Sequence, residues 1–176
     1  MRSFFKWELV GFVFTVGLGV LLHFLYEWSG ESLWVAPFSG VNESTWEHMK
    51  LLFFPMFIFA IFERFLFKKV PNFWSIKAKG IIVGLVLVPL LYYFYNGVIG
   101  QSPDWINIAI FVICAGVAIA VEIRTYNKKK NKKEPSVEGL VLLISIGIMF
   151  VLFTFAPPDI GIFRDPISNQ LGIGLY

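Results

Sequence analysis

The sequence predicts an all-α integral membrane bundle of five transmembrane helices, N-terminus inside and C-terminus outside, with an interfacial loop and a C-terminal tail at the outer face. Three observations carry that expectation. Of 176 residues, 57% are hydrophobic and only 15% charged, far more apolar than a soluble domain. Five apolar stretches, near 7–28, 45–67, 80–100, 105–123 and 137–156, each approach the ~20 residues that a helix needs to cross hydrocarbon. All fall in one domain, 1–176. With the N-terminus inside, only Lys50 and Arg164 of the 15 Lys and Arg lie on the outer side, the bias that marks a cytoplasmic face. The runs also lack the period-2 alternation of barrel strands, and lipid offers an unpaired backbone group no partner.

The first span opens with a basic, signal-like start, but its apolar region, Leu9 to Tyr26, has no small-residue cleavage site, so it reads as retained. It ends in His23 and Glu27, four residues apart and on one helix face. Facing lipid would be costly for such a pair, which places it toward the bundle or a water-filled cavity. The connector "SGESLWVAPFSGVNES" holds an apolar middle around Pro37. It reads as an interfacial or partly re-entrant segment over the bundle mouth, anchored by Trp34 and Phe38.

The second span begins with Ser44 and Glu47 in capping-box spacing, and acids also suit a helix N-terminus. Capping leaves His48 unexplained, together with the one-turn pairs Glu43 with Glu47 and Ser44 with His48. Lys50 reads as neutralising Glu43 or Glu47. Glu63 with Arg64, and Glu122 with Arg124, read as interfacial charges or helix-to-helix pairs rather than a proton path.

In the third span, Gly80 and Gly84 form a small-xxx-small pair suited to close packing, and Tyr92, Tyr93, Tyr95 and Asn96 reach its outer end. Cys114, the single cysteine, excludes a disulfide framework and reads as a small buried hydrophobe in the fourth span. The tract "NKKKNKKEPS" joins two spans on the cytoplasmic face, where it would meet anionic lipids rather than nucleic acid. Pro157 and Pro158 stop the fifth span. The tail then brings Asp159, Arg164, Asp165 and Asn169 to the outer face, with Ile160, Ile162 and Phe163 apolar enough to dock it.

Both histidines therefore meet several carboxylates at one membrane face. His23, Glu27, Glu47 and His48 are the candidate ligands for Zn²⁺ or another divalent metal. Glu43, Asp159 and Asp165 are supporting acids, and Asn42 and Ser44 hydrogen-bonding groups in a ligand pocket. The spacing matches neither HExxH nor the Glu-x-x-His of di-metal bundles. Three functions fit: a binding protein or transporter component for a small ligand or cation; a metal-dependent hydrolase of a lipid or envelope substrate, with Glu47 as general base; and a structural subunit of an oligomer or larger complex. The sequence leaves open whether the chain is an enzyme.

The segments "LHFLYEWSG", "VNESTWEHMKLLFFP" and "PPDIGIFRDP" resemble the signature segments of a family of small bacterial multi-span membrane proteins known as a domain of unknown function. That resemblance implies a multi-pass protein of the bacterial cytoplasmic membrane and implies no reaction.

Overall fold

The computed structural model describes residues 2–70, 72–129 and 137–174. Among these, five α-helices follow in order: α1 Arg2–Trp28, α2 Thr45–Leu66, α3 Phe73–Val98, α4 Asp104–Lys129 and α5 Glu138–Phe155, with a 3₁₀ turn at Gly161–Phe163 in the tail. Within α1, α3, α4 and α5 lie stretches long and apolar enough to cross a membrane. The second helix is not among those four. It carries Glu47 and Lys50 in its first two turns and Glu63 and Arg64 in its last. The lysine tract read as a lipid-facing loop lies outside the described residues, apart from the helical backbone of Lys128 and Lys129.

Helices α1 to α4 pack in a ring, each touching the next and α4 returning to α1, while α5 lies against α2 and α3. Leu52, Phe53, Ile81, Cys114, Ala118, Leu143 and Phe150 fill the centre. The expected role of Gly80 and Gly84 is visible at the α3–α4 crossing. A Cβ on Gly84 would lie 2.9 Å from Leu52 and 3.1 Å from Ala118, and one on Gly80 would collide with the Glu122 side chain. Pro55, inside α2, has no N–H for the Leu51 carbonyl one turn back. Gly19 of α1 lies beside that carbonyl; a Cβ there would stand 2.9 Å from its oxygen.

Polarity runs opposite to that of a soluble protein. Phe5, Leu9, Val13, Val86, Leu90, Phe94, Ile148 and Leu152 are exposed, whereas Glu8, Glu47, Lys50, Glu63, Lys77 and Glu122 are buried. Exposed apolar surface on this scale needs an apolar surrounding. Lys77, expected in a loop before a span starting near residue 80, instead lies inside α3. It is drawn there by ion pairs with Glu8, Glu63 and Glu122. Glu63 and Glu122 are thus helix-to-helix pairs, with Lys77 as partner in place of their neighbouring arginines.

Candidate metal centre

The connector of residues 29–44 folds back over the end of the bundle where α1 stops and α2 starts. Within it Ala36 and Ser39 are fully buried, while Trp34 is 90% exposed. Ser39 Oγ donates to the Leu22 carbonyl and accepts from the Tyr26 amide, bracketing one helical i,i+4 pair of α1. Phe38 meets Phe54 edge-on. Ser44 then caps α2 by accepting from the Glu47 amide at 3.4 Å.

Half of the expected capping box is present. The other half is replaced, because the Ser44 amide donates to Asn42 Oδ1 at 2.8 Å. The Glu47 carboxylate instead takes the Val41 amide at 3.1 Å and Lys50 Nζ at 2.5 Å. Lys50 is itself fully buried and donates to the Ala36 carbonyl and Thr154 Oγ1 at 2.9 and 2.7 Å. This lysine ties the connector, α2 and α5 together.

With Glu47 so engaged, the histidines face a different acid. His23 Nε2 lies 3.8 Å from Glu43 Oε1, His48 Nε2 lies 3.5 Å from Glu43 Oε2, and the imidazole centroids are 5.4 Å apart. One ligand atom from each of the three residues falls within 4.8 Å of the others. Donors bonded tetrahedrally to Zn²⁺ at ~2.0 Å stand about 3.3 Å apart, so small side-chain motions would close the group on an ion.

His48 is oriented for that role, with Nδ1 3.0 Å from the Ser44 carbonyl. A carbonyl only accepts, so this bond puts the hydrogen on Nδ1 and leaves the Nε2 lone pair toward Glu43. Ligating histidines are commonly held this way. All three side chains remain partly accessible, at 30% for His23, 26% for His48 and 44% for Glu43.

Glu43 and His48 also wall a polar cavity of about 710 Å³, with Thr45, Tyr92, Tyr93, Asn96, Asp104, Asn107 and the tail residues Arg164, Asp165 and Asn169. The tail docks by Phe163, whose buried ring contacts Trp46 and Phe153. Asn42 Nδ2 donates to the Gly172 carbonyl at 2.9 Å, and the Glu43 amide meets Asp165 Oδ2 at 3.5 Å. Burial works against the Asp165 charge. Even so, the Ile167 amide at 2.7 Å and the Ser168 hydroxyl at 2.9 Å hold its carboxyl below the usual range. Asp159 is exposed and pairs with Arg164.

Of the four ligands expected from sequence, the fold brings His23 and His48 together. Glu27 is exposed and, like Glu47, lies outside the group. Glu43, expected as a supporting acid, stands between the histidines. Asp104 and Asn107 of α4 carried no sequence signal, since their place on the cavity wall depends on the α3–α4 crossing.

Residues 1–173 match the family described as "Family of unknown function (DUF6512)", and the chain belongs to that family. No curated protein matches it, and no solved structure does.

Proposed function

We propose that this member of a family of unknown function crosses the bacterial cytoplasmic membrane five times, N-in and C-out. At its extracytoplasmic face, His23, Glu43 and His48 bind a divalent transition metal, and the protein serves as a cation-binding or transport component. Convergence of two histidines from separate helices on one carboxylate, at the rim of a polar cavity, carries the reading. Two neutral imidazoles and an acid suit Zn²⁺ or a similar ion.

The charge distribution supports the orientation. Lys77 and Lys50, one from each side of the topology, are consumed by buried ion pairs, and removing both leaves the cytoplasmic bias intact. A connector folded over one end of the bundle joins α2 to α1 and a short link joins it to α3, which supports α2 running antiparallel to both as a fifth crossing. The lysine tract then meets anionic lipid on the cytoplasmic side. Glu47 as a general base has less support, because its carboxylate is occupied by Lys50 and the Val41 amide.

Zinc titration of the purified protein in nanodiscs tests the reading. Wild type should take up one ion per chain, and His23→Ala or His48→Ala should weaken binding by about tenfold or more. Glu27→Gln should bind like wild type. Equal affinity in wild type and both histidine variants would overturn the assignment.

A further inference from the structure

At the end of the bundle opposite the histidines, four helices each send one ionisable side chain to a single buried point. Lys77 Nζ of α3 lies 2.7 Å from Glu8 Oε1 of α1 and 2.6 Å from Glu122 Oε2 of α4, and it pairs with Glu63 Oε2 of α2. Of the three N–H donors of the ammonium, Glu8 and Glu122 each accept one, and Glu63 is held as an ion pair without a hydrogen bond. Glu8 Oε2, both Glu63 carboxylate oxygens and Glu122 Oε1 remain buried without a hydrogen-bond partner. All three acids are 0% exposed and Lys77 is 2% exposed.

Charge counting sharpens the point. One ammonium against three carboxylates leaves two uncompensated negative charges if every acid is ionised. Buried ions without counter-charge are costly enough that such groups take up protons instead. Arg64 is the nearest arginine in sequence to Glu63, but it donates to the Phe67 carbonyl and lies over the Phe73 ring. Glu138, at the start of α5 on this end, is another acid and supplies no positive charge. The Phe4 and Phe73 ring centroids stand 5.7 and 5.8 Å from Nζ, with Phe4 stacked on Tyr126, so aromatic carbon flanks the ammonium.

We propose that Glu8, Glu63 and Glu122 form a proton-binding site around Lys77 that holds two exchangeable protons at neutral pH. A proton suits this place better than a metal cation, because the ammonium already occupies the centre and would repel a second positive ion. On a carboxyl oxygen, a proton makes a neutral group that donates to an orphaned acceptor. The site is separate from the histidine group and does not depend on metal binding there.

The test is infrared spectroscopy of the full chain in nanodiscs, with ¹³C-labelled glutamate side-chain carboxyls. Wild type at neutral pH should show a protonated-carboxyl carbonyl band that shifts with the label and on exchange into D₂O. Glu8→Gln and Glu122→Gln should each lose about half its amplitude, because two carboxylates and one ammonium then require one proton. Absence of a label-sensitive band in wild type would overturn the proposal without reference to either variant. So would an undiminished band in both glutamine variants, or its loss on adding sodium at constant pH.

Discussion

The two ends of the bundle use similar chemistry to opposite ends. At one, His23, Glu43 and His48 are partly accessible beside a cavity, and among the described residues no lysine pairs with them. At the other, three buried acids are closed around the single ammonium of Lys77. The difference shows that exposure and donor count, rather than the presence of acids and bases, decide what a polar group in a membrane bundle can do. An accessible group with spare lone pairs can exchange a ligand. A sealed one joins helices, and the ligand that fits its spare oxygens is a proton.

Breaking the sealed end should have the largest effect. Lys77→Ala leaves three buried acids without a cation, and loss of one partner of a buried pair costs about 3–5 kcal/mol. His48→Ala, in a partly exposed group, should cost under ~1 kcal/mol. Reversible unfolding in mixed micelles gives both values, and a larger loss in His48→Ala would reverse the comparison. An intermediate effect is expected from Gly80→Ala, which pushes a methyl group into the space held by Glu122. Overpacking of that kind costs about 1–3 kcal/mol, and the same unfolding measurement should detect it.

The smallest effect belongs to the tail. The Asp165 carboxyl is held below its ordinary value in the folded chain, so an undocked tail binds more protons at low pH. Its stabilising contribution is complete above the ordinary value of about 3.9 and fades as pH falls through the lower folded value. A spin label at Ile167, 82% exposed, should therefore gain mobility only in strong acid. Asp165→Asn should already be mobile at neutral pH; a tail as immobile as that of wild type would remove Asp165 from the docking account.

The five helices were legible because their apolar runs are long and their ends carry capping or breaking residues, as at Ser44 and Pro157. The boundary at α3 was not. A lysine beside a loop reads as interfacial, and only acids on three other helices reveal Lys77 as an interior residue. Glu8 was hidden for the same reason, as an acid near the start of α1 whose partner is 69 residues away. At the histidine end, the sequence brought both histidines to one face, but helical spacing favoured Glu27 beside His23 and Glu47 beside His48. Glu43 enters the group through the path of the connector, which no periodicity describes, and Lys50 turns Glu47 away.

Ser39 has a mechanical consequence. Its hydroxyl sits between the Leu22 carbonyl and the Tyr26 amide, the two backbone groups that flank His23 along α1. The connector is therefore pinned to the turn of helix that bears one histidine, and it leads within a few residues to Glu43 and the helix that bears the other. A force on any of the three is transmitted to the remaining two through short, hydrogen-bonded chain, as in a clasp whose hinge and jaws are cut from one strip. Opening that clasp requires α1 to give up its bond to the connector at Ser39.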